Sequence, residues 1–413
     1  MRFRTFLLVI VLLIVLPGAG LTSAQNASIT LWTILDLSNT NEPRGVLLKG
    51  FIEEFTQSTG IVVEVEQVAW NQISTRLAVA VQEGGDVPDL VETGSQQMPS
   101  LLSAGAAAPL DELFSGQGWL SSLNQQDADA CVIDGVRYCV SHTVRGSMTF
   151  YRGADFPQGY PNTPEAMLAF ADALPAGRDF LATFYAGRSF SAIERTWWPL
   201  IASNGGSIFD AEGKPNWATP EVVEVVDYGR ALLTANLIPE VSVTGDFADP
   251  EVIWTDESAS IFGGGTWSGL FIPGLRDAVE SGTVLLAPSV DFGGGAKVQL
   301  NAEAWVIPTG APNPAGAAAY LSAFMTPVRM SRWSELYYGI PTLEGASIPS
   351  DSPYFEQVSR ILSTDGVYMQ RSPYYLESLD ALAVAWQELL LDPALDAQSH
   401  LQAAQDLILQ SYW

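Results

Sequence analysis

Basic residues, histidine and cysteine are all scarce in this chain. Nineteen Lys and Arg stand against 46 Asp and Glu, for a net charge of −27. Such a chain repels nucleic acid and anionic lipid surfaces, and its charge serves solubility outside the cell. With only His142 and His400, a C-x₇-C cysteine spacing and no H-E-x-x-H, a zinc site or zinc hydrolase is excluded. Neither glycine run, 261–269 nor GGGAK at 293–297, has the G-x-x-x-x-G-K-[ST] pattern of a Walker phosphate loop. The dinucleotide fingerprint is missing at the first strand–helix turn, and no G-x-S-x-G nucleophile elbow occurs. Acidic residues are too plentiful to exclude a glycosidase pair, but nothing singles one out. Beyond the N-terminus, no segment is apolar enough to span a bilayer.

The first residues, MRFRTFLLVIVLLIVLPGAGLTSAQ, have the three parts of a secretory leader. Arg2 and Arg4 precede an apolar run from Phe6 to Leu16, and Thr22-Ser23-Ala24 supplies a small-residue cleavage site. Cleavage is expected after Ala24, with an uncleaved anchor as the alternative. No cysteine near that site offers lipid attachment. In an oxidising compartment Cys131 and Cys139, in CVIDGVRYC, are expected to form a disulfide. Asp134-Gly135 between them is a hairpin signal flanked by strand-forming residues.

The rest is long enough for two domains, and 47% hydrophobic residues suffice for a sizeable core. SITLWTILD alternates as a strand. NEPRGVLLKGFIEEFTQSTG reads as a helix, with Pro43 in its first turn, one apolar face and Gly60 as its stop. IVVEVEQV, a helix ending in Gly84-Gly85, and VPDLVETG complete a strand–helix–strand–helix–strand rhythm, the mark of a mainly parallel sheet covered by helices. VSHTVRGSMTFYR reads as a long strand. NTPEAMLAFADAL and WATPEVVEVVDYGRALLTANLI each begin with a Thr-Pro-Glu helix start. ASIFGGG, VLLAPSV and EAWVIP are further strands, NPAGAAAYLSAFMT a capped helix, and the part after Leu376 is helix-rich.

IFGGGTWSG, residues 261–269, sets three glycines beside a tryptophan. Glycine loses the most backbone freedom on folding, so such a run needs a cause. Trp32, Trp70, Trp197, Trp198, Trp254, Trp267, Trp305 and Trp333 all lie near predicted element ends. Each alone is ordinary core packing. Several around one cleft would make a platform for the apolar face of a sugar ring, with Asp, Glu, Asn, Gln or Arg for its hydroxyls.

The order of these segments resembles the extracellular solute-binding proteins of ABC importers, in the carbohydrate-binding group with maltose- and glycerol-phosphate-type binders. The resemblance runs from the leader and ITLWTILD through FIEEFTQSTGIVVEVEQVAWNQISTRLAVAVQEGGDVPDLVE, LLSAGAAAPLDELF, DGVRYCVSHTVRGSMTFYR, LIASNGGSIFDAEGKPNWATPE and ASIFGGGTWSG to YYGIPTLEG. It implies an α/β, two-lobe periplasmic-binding-protein type II fold, each lobe a mainly parallel sheet flanked by helices, joined by a hinge. The first lobe would take residues 25–143 plus 297–335, and the second 146–288 plus 337–413. The crossings would lie near 144–147, 288–296 and 337–339, where Gly146 and the glycines at 293–295 could absorb rotation.

The same resemblance implies a site between the lobes. The loop after the first strand gives Asp36, Ser38 and Asn39, and Trp70 follows the second strand. Glu92 and Thr93 end the third, His142 and Arg145 lie at the first crossing, and Asn301 and Glu303 lie on the returning strand. Tyr338 sits in the last contact loop. Trp267 would stack on the sugar, and the glycines before it would let backbone amides approach. The implied function is the capture of a sugar or oligosaccharide and its delivery to the transmembrane subunits of an ABC permease, by an exported monomer with no cofactor and no catalysis. The alternatives are a polyamine or a sugar or glycerol phosphate on the same scaffold, or a secreted carbohydrate-active enzyme.

Overall fold

The computed structural model describes residues 28–349 and 351–413; the expected leader lies outside them. Twelve strands occur: β1 Ser28–Thr33, β2 Val62–Gln67, β3 Leu90–Gly94, β4 Val132–Ile133, β5 Val136–Arg137, β6 Val140–Arg152, β7 Phe180–Phe184, β8 Ala259–Gly265, β9 Val284–Ala287, β10 Val298–Val306, β11 Ile340–Pro341 and β12 Gly366–Val367. All but β4 and β5 belong to one sheet with the path β2-β1-β3-β10-β6-β8-β7. β1, β2 and β3 are parallel, and β10 runs against β3 and β6. At the other end β8 and β7 are parallel, and β8 and β9 both run against β6. Each half is thus mainly parallel in direction, with one reversed long strand.

β6 joins the halves. Its residues 140–146 pair with β10 and its residues 147–151 pair with β8. Gly146 marks the change. A Cβ there would lie 2.5 Å from the Leu362 side chain and 2.7 Å from the backbone oxygen of Gln299, so only glycine fits without moving β10. The core falls into three apolar clusters. One draws on residues 156–290 and 375–408, one on 29–140 and 305–343, and the third lies where the halves meet.

Local signals became local structure where they needed no distant partner. The helix Pro43–Thr59 stops at Gly60, whose φ of 78° is the left-handed conformation that favours glycine. Pro220–Thr234 begins at its Thr-Pro-Glu signal. The helix expected over NTPEAMLAFADAL is shorter, Pro164–Leu168, and continues only as a tight three-residue turn.

Cys131 and Cys139 are bonded, below the hairpin of β4 and β5. Asp134 and Gly135 have φ of 52° and 78°, the mirror-image turn that Asp-Gly favours. Reduction is expected to lower stability by roughly 2–3 kcal/mol, the loop-closure entropy of so short a ring. Thermal melting with and without reductant checks this, and coincident melts would show the bond adds nothing.

Candidate functional site

Three parallel strands, β7, β8 and β9, deliver their carboxyl ends to one place. Beyond them lies a cavity, part of it open to solvent. Open α/β sheets bind ligands at such ends. Phe184 and Tyr185 come from the end of β7, Gly263, Gly264 and Trp267 from β8, and Ser289 and Val290 from the segment after β9. Ser147 and Thr149 of β6 form the floor, and Arg195, Thr196 and Tyr228 come from covering helices.

The three glycines are the last residues of β8 rather than a loop. Each gives way to a side chain of the protein itself. A Cβ on Gly263 would meet Phe184, one on Gly264 would meet Phe262 and Ser268, and one on Gly265 would meet the Trp267 ring. The indole therefore folds back over Gly265, and the glycines serve internal packing before any ligand.

Arg195 stands in an unusual turn. Residues Ile193–Trp197 form a wide π-helical turn inside the run from Phe190 to Ser203. Pro199 has no N–H to give to the carbonyl of residue 195, and its ring crowds that carbonyl, so the turn widens. The widening sends Arg195 to the cavity, while Glu194 is buried beside Gln299, whose Nε2 donates to its Oε1 at 3.0 Å. Burial pushes the Glu194 carboxyl up to about 7, against the pull of Arg195.

A polar row runs up one face of β10. Gln299, Asn301, Glu303 and Trp305 alternate with Leu300, Ala302 and Ala304, and cross-strand register puts Arg145 opposite Asn301 and Thr143 opposite Glu303. Arg145 donates from Nη2 to Glu303 Oε1, a buried ion pair, and Asn301 Nδ2 lies 3.4 Å from the same oxygen. Arg145 Nε, Asn301 Oδ1 and Glu303 Oε2 are enclosed without a protein partner. The guanidinium carbons of Arg145 and Arg195 lie 5.5 Å and 4.6 Å from the Trp267 ring centre. Arg145, Glu303, Asn301 and Trp267 are therefore brought together, through β6, which lies between β10 and β8.

Glu92 and His142 belong to a separate network. The register of β10 slips between Glu303 and Ala304, and His142 is the extra residue of the bulge. Its ring is thereby turned toward Trp333, whose Nε1–H donates to Nδ1 at 3.0 Å. An indole can only donate, so Nδ1 accepts and the proton of the neutral ring sits on Nε2, 3.5 Å from Glu92 Oε1. Glu92 also accepts from Thr33 and, at 2.5 Å, from the Tyr337 hydroxyl. Burial alone would raise the Glu92 carboxyl, but His142, Thr33 and Tyr337 hold it below its ordinary value. Both residues are fully buried. Thr93 is buried too, and its hydroxyl bonds Gln97 at 3.2 Å.

Of the expected site residues only Trp267 lines the cavity; Arg145, Asn301 and Glu303 lie beside it, and the others lie elsewhere. Asp36, Ser38 and Asn39 form a turn, with Ser38 exposed and bonding Asp36 Oδ1 through both N (2.8 Å) and Oγ (2.6 Å). Trp70 opens the helix Trp70–Glu83, half-buried, with its indole N–H enclosed and unpartnered. Tyr338, at φ 56°, packs edge-on against Tyr354 at 5.5 Å. Conversely, the sequence expectations missed Arg195, Tyr185, Tyr228 and Phe247 of the lining. The available signal was an arginine inside the otherwise apolar FSAIERTWWPLIA of a chain with few bases.

A two-half α/β sheet with a cavity at strand carboxyl ends, beside a buried polar seam, defines a binding scaffold. The sequence profile of the bacterial extracellular solute-binding proteins matches residues 39–328. The chain belongs to that family, whose members bind solutes. Its fold is the two-lobe periplasmic-binding-protein type II fold, as in several solved structures. The maltotriose-binding protein of Thermus thermophilus, bound with maltotriose, is similar at TM-score 0.74 and 18% identity over 93% of this chain and 100% of that one. The cyclic α-maltosyl-1,6-maltose-binding protein of Arthrobacter globiformis gives 0.71 and 18% over 92% and 97%. An ABC transporter solute-binding protein of Thermotoga lettingae bound with α-D-tagatose gives 0.76 and 17% over 92% and 98%. No curated protein matches the chain in sequence. No helix among the described residues is long and apolar enough to cross a membrane.

Proposed function

We propose that this protein is the extracytoplasmic solute-binding subunit of an ABC importer. It captures a sugar or oligosaccharide between its lobes and hands it to the transmembrane permease, as an exported monomer, without making or breaking a bond. One observation carries this: Trp267 and Arg195 line a cavity at the strand ends, and Arg145, paired with Glu303 of the seam, lies against the same Trp267 ring. An indole offers a sugar ring its flat face, and the seam's unpartnered N–H and oxygen atoms suit hydroxyls. The solved relatives named above support the sugar class, since two of them carry sugars in their binding sites.

The lobes we assign are 25–143 plus 297–335 and 146–288 plus 337–413, turning about 144–147, 288–296 and 337–339. A ligand that touches both favours the closed state. Tethering by an uncleaved leader would keep the protein at the membrane.

Tryptophan-fluorescence titration against sugars, polyamines and sugar phosphates tests this reading. A sugar is expected to bind, and Trp267→Ala to weaken it by about ten- to a hundredfold, the worth of one stacked aromatic face and its buried area. Response to a polyamine alone, unchanged by Trp267→Ala, would favour the polyamine alternative. Product formation would point to a secreted carbohydrate-active enzyme.

A further inference from the structure

Arg195 is unlike the other arginines. Every other described arginine that is not exposed forms an ion pair with a carboxylate or a hydrogen bond to a backbone carbonyl. Arg44 pairs with Glu42, Arg137 with Asp127, Arg145 with Glu303 and Arg178 with Asp155, while Arg230 and Arg371 bond carbonyls. The Arg195 side chain has no hydrogen bond and no ion pair among the described residues. Aromatic faces hold it instead, with Trp267 at 4.6 Å and Phe247 at 5.6 Å.

The neighbouring acids are engaged elsewhere. Glu303 accepts from Arg145, and Glu194 accepts from Gln299 and is raised to about 7 by burial. Glu251 of the cavity wall responds to burial and to no charged neighbour, so it is not the counterion. Glu194 and Glu303 attract Arg195, and Arg145 repels it, but neither acid forms a hydrogen bond or an ion pair with it. A strongly acidic protein thus keeps in its cavity wall one guanidinium whose N–H donors have no partner among the described residues.

The stacking geometry selects what can meet it. With an indole against its face, a guanidinium presents its N–H donors in the plane, a fork that fits the two oxygens of a carboxylate. A uronic acid carries its carboxylate directly on the ring carbon next to the ring oxygen. Its ring can then lie at Trp267 while its carboxylate reaches Arg195.

We propose that the solute is an acidic saccharide whose uronate carboxylate is received by the Arg195 guanidinium beside Trp267 in the cavity wall. This rests on the sugar-binding function proposed above and narrows its substrate class.

The test is calorimetric titration of the full chain with digalacturonate, cellobiouronate and dimannuronate, each beside the neutral disaccharide bearing CH₂OH in place of the carboxylate. At least one acid is expected to bind tenfold or more tightly than its neutral counterpart. Arg195→Gln is expected to abolish that gap, and Arg195→Lys, which keeps the charge without the fork, to retain part of it. Arg195→Gln gives up the contacts with Trp267 and Phe247, so melting curves of both variants check that each is folded at the titration temperature. Equal or tighter binding of the neutral sugars would overturn the proposal and leave the sugar-binding function standing. So would an acid preference that survives Arg195→Gln, or failure of all three acids to bind. Failure of every sugar, acidic and neutral, would remove both.

Discussion

Glu303→Ala is expected to lower the stability of the protein by about 3–5 kcal/mol, the usual cost of breaking a buried ion pair by removing one partner. Glu303 is fully buried and Arg145 is 9% exposed, so water cannot replace the lost carboxylate. The penalty is the stranded charge rather than the lost attraction. Arg145→Ala should therefore cost a similar amount, and the double variant Arg145→Leu with Glu303→Leu should recover most of the loss. Glu303→Gln keeps an acceptor for Arg145 and should fall between. Urea denaturation midpoints check all four. Additive losses in the double variant would show that the two side chains act independently.

Glu194→Gln is expected to raise stability by about 3 kcal/mol at pH 8 and to leave it nearly unchanged at pH 4. The wild-type carboxyl rises from 4.5 to about 7 on folding because burial disfavours its charged form. A group raised on folding holds its proton more tightly in the native state. Its stabilising effect is complete below about pH 4.5 and declines as pH climbs to 7. Above pH 7 the protein carries the full cost of a buried carboxylate. Gln cannot ionise, so the difference between variant and wild type should open between pH 4.5 and 7 and then level off. Tyr375, Arg195 and Glu303 surround the group and remain in both proteins, which isolates the titration of Glu194. Parallel melting curves across pH 4–8 would show that Glu194 ionises freely in the folded state.

Both predictions concern contacts that join distant parts of the chain, and the two kinds of contact differ in how well a sequence can show them. Helix starts and stops were legible because Pro43, Gly60, Thr219 and Pro220 act on their own backbone neighbours. The hairpin of Asp134 and Gly135 was legible for the same reason, and it brought Cys131 to Cys139 across eight residues. EAWVIP was read as a strand, and its EAWV is the later part of β10, which begins at Val298.

Partner choice was not legible. Asn301, Glu303, Arg145 and Trp267 lie near one another, but nothing local says that Arg145 takes Glu303, 158 residues away. Glu92 and His142 read as ligand contacts by position, yet a one-residue bulge turns His142 to Trp333 and locks both into the core. A bulge depends on how two strands fit, and so has no signal in either strand alone.

The sequence by itself determined the alternating strands and helices, the disulfide hairpin, the acidity and the absence of familiar catalytic motifs, because each follows from composition or from neighbours a few residues apart. Only the tertiary structure decided which charges are paired. The widened turn before Pro199, the folding of Trp267 over Gly265 and the unpartnered guanidinium of Arg195 all arise from packing between segments far apart in the chain. The burial that sets the charge of Glu194 and the space left beside Arg195 are properties of that packing, and no single segment carries them.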